Sequence, residues 1–297
     1  MSRVGRDYLG PFRLVRLLRA GQTCQVWEAI NEEEGGRFAL KVLQQKYLGN
    51  REEIAYLKHE FAVGGELDHG RVIRTYAFNI DRNVPYLTLE FFDGRNLKQA
   101  LRDENEWIMY FMPQIVQQSA EGLDHLHQRG WIHRDVKPDN FMVGAKANVK
   151  LIDFAITEKQ KRGLGRFLGG RSKVQGTRSY MAPEQIRGTA IDVRTDIYSF
   201  GCMLHELIGG KPPFTAGSPD ELLGKHLSLS APSLLAANNK ITTDLAELVA
   251  TMLAKKRDDR PDSMTEFLRR LRAMRFFRTR PKPPKAIANQ QDAAGET

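Results

Sequence analysis

Eight consecutive residues, His133-Arg134-Asp135-Val136-Lys137-Pro138-Asp139-Asn140, gather two carboxylates, an amide and two cations into one short stretch. Thirteen residues after Asn140 comes Asp153, followed by Phe154-Ala155, and later by Ala182-Pro183-Glu184. Moving a phosphoryl group onto a hydroxyl requires a carboxylate near the attacking oxygen and oxygen ligands for Mg²⁺, which as a hard cation takes carboxylates, amide oxygens and phosphate. Asp135, Asn140 and Asp153 provide groups of those types. Upstream, Phe38-Ala39-Leu40-Lys41 ends a strand-like run in lysine, and Glu60 lies on the helical stretch that follows. A strand ending in lysine is ordinarily a solvated edge, and a lone helical glutamate is ordinarily surface; their joint presence gives them a second meaning.

These residues need elements to hold them. Strand-like alternation runs over Phe12–Leu18, Gln25–Ile30 and Arg37–Leu43, the last bounded by Gly35-Gly36, and predicts a meander. Ile54, Leu57, Phe61 and Leu67 recur at helical spacing over Arg51–Leu67, and Asp68-His69-Gly70 stops that helix before strands near Ile73–Asn79 and Pro85–Glu90. From Asn96 the pattern turns helical, with candidates at Ile108–Gln128, Thr195–Ile208, Thr243–Leu253 and Met264–Met274. The expectation is an α+β chain: a small strand-rich lobe with one helix, a larger helical lobe, and a ligand cleft between them.

With these motifs in order, the chain resembles the eukaryotic-type protein kinase family from about Phe12 to Met274. The resemblance implies a bilobal kinase-like fold and transfer of the ATP γ-phosphate to serine or threonine hydroxyls of protein substrates, the chain itself included. It assigns Asp135 to orienting and deprotonating the substrate hydroxyl, Lys137 to neutralising charge on the transferred group, and Thr177 to bridging the two. Asn140 and Asp153 become the ligands of Mg²⁺, with Mn²⁺ as a substitute. Lys41 grips the ATP phosphates and pairs with Glu60. Leu18, Gly21, Val26, Ala39 and Met142 enclose the nucleotide, Leu89 is the gatekeeper, and Glu90 to Phe92 form the hinge; Asn96 is a candidate for ribose contact. Asp196 and the pair Glu184 with Arg260 are scaffold. The large-lobe stretches Gly188–Asp192, Gly209–Phe214 and Lys255–Pro261 look most like bacterial members.

Three departures stand out. The phosphate-covering loop reads Arg19-Ala20-Gly21-Gln22-Thr23-Cys24-Gln25-Val26 and keeps only the middle of three glycines, which predicts weaker ATP binding. Ala155 replaces a glycine after Asp153-Phe154 and should disfavour flipped states of that loop. Gly64-Gly65, at about 1 kcal/mol each against alanine in a helix interior, predicts a loosened Glu60 helix that needs outside help to dock. These departures support an alternative, a pseudokinase acting as a nucleotide-sensing or scaffold module. Retention of Lys41, Glu60, Asp135, Lys137, Asn140 and Asp153 together supports the enzyme. A small-molecule kinase is disfavoured by Thr177 and Ala182-Pro183-Glu184, which build a platform for peptides.

The 297 residues carry a net charge of +9, yet Arg269–Lys285 holds eight basic residues and no acid, while Thr157–Arg178 holds seven against Glu158 alone. The remainder is net acidic, so a nucleic-acid-binding surface is not expected. In this family the arginine before the catalytic aspartate, here Arg134, receives a phosphate from the activation segment; lacking an anion it would be an uncompensated charge, which points to Ser172 as the phosphorylated residue. Two distant cysteines, Cys24 and Cys202, predict no disulfide and a reducing compartment, the cytoplasm. No signal-peptide h-region or membrane-spanning run is present. The expected organisation is an extension over residues 1–11, a kinase domain over 12–274 (lobes 12–92 and 93–274), and a basic, Pro-rich disordered tail over 275–297. Residues 269–285, with Phe276-Phe277 embedded, are a candidate for weak contact with anionic membranes.

Overall fold

The computed structural model of the protein describes residues 7–160 and 175–284. It divides into two compact units, Met1–Asp93 with Ile152–Thr157, and Gly94–Leu151 with Glu158–Thr297.

Among the described residues, the first unit is a six-stranded antiparallel sheet with one α-helix and a short 3-10 turn at Gln45–Tyr47. Its strands are β1 (Tyr8–Leu9), β2 (Phe12–Ala20), β3 (Cys24–Asn31) and β4 (Arg37–Leu43); after helix α1 (Arg51–Gly65) come β5 (Thr75–Asp81) and β6 (Val84–Glu90). Their order in the sheet is β1-β2-β3-β4-β6-β5. Alternation along the strands gives the sheet two apolar faces. Leu9, Phe12, Ala29, Leu40 and Tyr86 form the core on one face, and Leu43, Leu57 and Leu87 join sheet to α1 on the other. The expected extension over 1–11 is thus partly sheet: Tyr8 and Leu9 pair with Arg13 and Phe12, and Leu9 is buried.

Helix α1 begins where Asn50 accepts hydrogen bonds from Glu52 and Glu53 N–H, and those two acids in the first turn favour the helix dipole. The helix ends at Gly65, so the glycine pair forms its last turn and not its interior. Gly64 has a packing role as well: a Cβ there would lie 2.2 Å from Thr75 Oγ1 and 2.8 Å from Thr75 Cβ. The expected loosening of this helix is not what the packing gives, because Leu57, Glu60 and Val63 are all buried.

The second unit is mainly helical. It opens with β7 (Gly94–Asn96), α2 (Leu97–Asp103), α3 (Asn105–Gln128) and β8 (Trp131–Ile132), followed by the hairpin β9 (Phe141–Gly144) and β10 (Val149–Leu151), then β11 (Glu158–Lys159). Helices α4 (Pro183–Arg187), α5 (Val193–Gly209), α6 (Pro219–Ser228), α7 (Leu234–Ala237), α8 (Thr243–Met252) and α9 (Met264–Arg272) complete it. Every residue of α5 from Thr195 to Ile208 is buried, the signature of a helix enclosed on all sides. Phe200 on α5 stacks edge-on with Phe141 at 6.2 Å and with Phe267 of α9 at 5.5 Å, tying the hairpin to α9.

Order continues past Met274. Phe277 bridges to Ile241, Thr242 Oγ1 donates to Arg275 C=O at 2.6 Å, and Arg278 N–H donates to Lys240 C=O at 2.9 Å. Phe276 and Phe277 are each 7% exposed, so this pair belongs to the core of the unit and is not available to insert into a bilayer. Residues 285–297 of the expected tail lie outside the described residues. Among the described residues no helix is long and apolar enough to cross a membrane.

Candidate active site

In the first unit, antiparallel register places Val26 opposite Lys41, and Ala39 opposite Leu89. Directly opposed residues share a face, as do residues two apart, so Val26, Ala39, Lys41 and Leu89 line the same side of the sheet as α1. Lys41 Nζ donates to Glu60 Oε2 at 2.6 Å and to Asp153 Oδ1 at 3.2 Å. One ammonium thus serves two carboxylates. Burial opposes the charge on Lys41, but Asp153 and Glu60 overcome it and hold the amine above its ordinary range. Burial pushes the Glu60 carboxyl up to about 7 against the pull of Lys41, and Asp153 adds to the rise. Two carboxylates sharing one cation leave a net negative charge, and the more buried acid, Glu60, is the one that resists ionisation.

Asp153 sits in the left-handed region at φ 70, whereas Ala155 is not among the positive-φ residues; the strain lies at the carboxylate itself. The loop after it is tied to α1. Thr157 Oγ1 donates to Phe154 C=O at 3.0 Å, and His59 Nε2 lies 2.9 Å from Thr157 C=O and 3.0 Å from Thr157 Oγ1. Both oxygens accept, so the imidazole carries its proton on Nε2. His59 precedes Glu60, and this link supplies the docking that the glycine pair was expected to weaken.

Between β2 and β3, Gly21 N–H donates to Cys24 C=O at 2.9 Å, and a Cβ on Gly21 would stand 2.8 Å from that same oxygen. The one retained glycine is therefore the one the turn requires. Cys24 packs with the Leu43, Leu57 and Leu87 cluster, and burial holds its thiol above the ordinary range. Leu18 and Arg19 are exposed on β2. Glu90 ends β6 with its N–H donating to Arg74 C=O at 2.9 Å, and Phe92 lies just beyond, outside the strand ladders.

In the second unit, Asp135 is held from four directions. Its Oδ1 accepts from Thr177 N–H and from Thr177 Oγ1, both at 2.9 Å. Its Oδ2 accepts from Lys137 Nζ at 2.6 Å and from Asn140 Nδ2 at 3.3 Å. Lys137 Nζ also donates to Thr177 Oγ1 at 2.6 Å, so Asp135, Lys137 and Thr177 close a ring of hydrogen bonds. Asn140 is 1% exposed; its Nδ2 also donates to Asp135 C=O at 2.8 Å, and its Oδ1 is buried with no hydrogen-bond partner among the described residues. A buried acceptor left unpaired costs about 1–3 kcal/mol, and an amide oxygen is a donor that a hard divalent cation accepts. Asp153, in the first unit, has a side chain 35% exposed. Met142 pairs with Asn96 and Lys150 in the β7-β9-β10 sheet of this unit. Asn96 itself caps α2, accepting from Gln99 N–H at 2.8 Å, which engages its side chain locally.

The loop that carries Asp135 rests on a buried frame. Asp196, 0% exposed, accepts from His133 N–H at 2.7 Å and Arg134 N–H at 2.8 Å and pairs with His127 at 2.8 Å. Gln185 donates to Arg134 C=O at 2.9 Å. Gly176, at φ +120, approaches that carbonyl so closely that a Cβ would lie 2.8 Å from it. Glu184 and Arg260 form a doubly bonded ion pair at 2.7 and 3.0 Å, joined by Thr195 Oγ1 at 2.9 Å.

The expectation that Arg134 lacks an anion is corrected: its Nη1 pairs with Glu158 Oε2 at 3.1 Å. Ser172 and the basic residues Lys161, Arg162, Arg166, Arg171 and Lys173 lie outside the described residues. Sequence reading missed His59, Thr157, Gln185 and Glu158 as members of the site. Only Glu158 carried a signal, as the sole acid in a strongly basic segment.

A model of the protein kinase domain matches residues 12–271, and the chain belongs to that family. Its relatives include Serine/threonine-protein kinase PknB of Mycobacterium tuberculosis, 31% identical over 77% of this chain and 37% of the relative. A probable serine/threonine-protein kinase of Clostridium acetobutylicum is 28% identical over 89% of this chain and 40% of the relative. The chain therefore spans about two fifths of the length of these curated relatives. Protein kinases as a family use ATP and a divalent metal.

Proposed function

We propose that this chain is a serine/threonine protein kinase that transfers the γ-phosphate of ATP to hydroxyl groups of protein substrates, itself included. The observation that carries this reading is the ring formed by Asp135, Lys137 and Thr177, in which every hydrogen bond is 2.6–2.9 Å long. It fixes a carboxylate for an incoming hydroxyl and an ammonium beside it. Asp135 accepts the proton and aligns the oxygen, and Lys137 offsets negative charge on the transferred group. Lys41, oriented by Glu60, holds the nucleotide phosphates. Mg²⁺, or Mn²⁺ in its place, would be held by Asn140 and Asp153 and would neutralise phosphate charge.

Only two cysteines, Cys24 and Cys202, far apart in the sequence, favour a reducing, cytoplasmic setting. Any contact of residues 269–285 with anionic lipid would rest on the arginines and lysines alone, since Phe276 and Phe277 are buried. The reading is tested by incubating the protein with γ-labelled ATP and a basic protein acceptor and identifying the labelled amino acid. Phosphoserine or phosphothreonine that disappears in Lys41→Met supports it. Nucleotide binding with no transfer by wild type would instead support the scaffold alternative.

A further inference from the structure

We propose that Glu158 is a positioning residue for the catalytic carboxylate: its side chain holds Arg134, and through it the Arg134-Asp135 backbone, in the place a segment phosphate would otherwise take. This inference rests on the kinase reading above.

Arg134 sits at φ 70, a conformation a non-glycine residue keeps only when its surroundings impose it. Asp196 holds its N–H and Gln185 its C=O. Those contacts fix the backbone on either side but leave a guanidinium whose side chain is only 9% exposed. A cation that far from water needs an anion close by, because loss of one partner strands the other. Glu158 is such an anion, at 3.1 Å, and its own position is set by the sheet: β11 pairs with β8, with Glu158 directly opposite Ile132, two residues before Arg134. The contact therefore comes with the strand pairing.

The segment offers few alternatives. From Glu158 to Gly176 the only acid is Glu158 and the only hydroxyl is Ser172. A phosphate on Ser172 aimed at Arg134 would meet a carboxylate already there and be repelled by it. Glu158 thus makes the order of the catalytic loop independent of segment phosphorylation.

Three variants decide this: Glu158→Gln, Glu158→Asp and Ser172→Ala, each measured for kcat, KM for ATP, and hydrogen exchange of peptides covering residues 131–136. Glu158→Gln should lower kcat by about tenfold or more while KM for ATP stays within about twofold, the pattern of a lost transition-state arrangement with nucleotide binding intact. Exchange over 131–136 should quicken in the same variant, Glu158→Asp should recover part of both effects, and Ser172→Ala should match wild type. Unchanged kcat and exchange in Glu158→Gln would overturn the proposal, as would a Ser172→Ala variant equally impaired. If wild type transfers no phosphate, the kinase reading fails, and the exchange comparison still decides the role of Glu158.

Discussion

Gly64 and Thr75 are in such close contact that no side chain fits between them: a Cβ on Gly64 would lie 2.2 Å from Thr75 Oγ1 and 2.8 Å from Thr75 Cβ. Rotating the hydroxyl away would not help, because the Cβ stays where it is. Helix propensity alone predicts that Gly64→Ala stabilises by about 1 kcal/mol. Packing predicts the reverse, a loss of about 1–3 kcal/mol, whereas Gly65→Ala, with nothing near its Cβ, should be neutral or mildly stabilising. Urea unfolding of both variants checks the contrast.

The His59–Thr157 link should behave as a coupled unit. Thr157→Val keeps the shape of a 5%-exposed side chain but removes the hydroxyl that serves both Phe154 and His59. A loss of about 1–2 kcal/mol is expected. His59→Ala should cost less in the Thr157→Val background than in wild type, with a coupling energy of at least about 0.5 kcal/mol in a double-mutant cycle. Strict additivity would mean that the two side chains do not act together.

Glu60 gives the unit a pH signature. Its folded-state pKa, about 7, lies above the ordinary carboxylate value of 4.5, so the folded protein binds the extra proton between those limits. Such a group stabilises most below pH 4.5, and its contribution is lost as pH rises through 7. In Glu60→Gln the term is absent. The difference in Tm, variant minus wild type, should therefore grow more positive from about pH 4.5 to pH 7. A difference that is flat or falls over that range would contradict the environment assigned to Glu60.

The turn between β2 and β3, proposed to cover the ATP phosphates, should respond differently at its two small residues. Gly21→Ala, colliding with the Cys24 carbonyl oxygen, should raise KM for ATP by about tenfold with a smaller change in kcat, the result of a distorted ground-state contact. Cys24→Gly, which the sequence pattern suggests would improve the loop, should instead lower Tm, because that side chain packs with Leu43, Leu57 and Leu87. Steady-state kinetics on the first variant and thermal unfolding of the second check both.

The elements were legible in the sequence where periodicity was strong. The strand over Arg37–Leu43 has the bounds its alternation predicts, and the long helices differ by a few residues at their ends. The candidate site was legible as motifs, since Asp135, Lys137 and Thr177 belong to segments with fixed wording. What sequence could not supply was which neighbour answers which charge. Arg134 looked unpaired because Glu158 is distant in sequence and reaches it only through the pairing of β11 with β8. Gly64 looked like a helix weakness because its partner Thr75 lies on another element. Phe276 and Phe277, flanked by arginines, read alike whether they meet a membrane or their own chain, and only the pairing with residues 240–242 distinguishes the two.

The most direct test of the central claim is the rate of γ-phosphate transfer by Asp135→Asn, which keeps the size of the side chain but removes the proton acceptor. Affinity for ATP should be unchanged, and kcat should fall by about 10²–10⁴-fold, the range expected for loss of a general base. Transfer at the wild-type rate in Asp135→Asn would contradict the assignment of this carboxylate, and with it the account of the site.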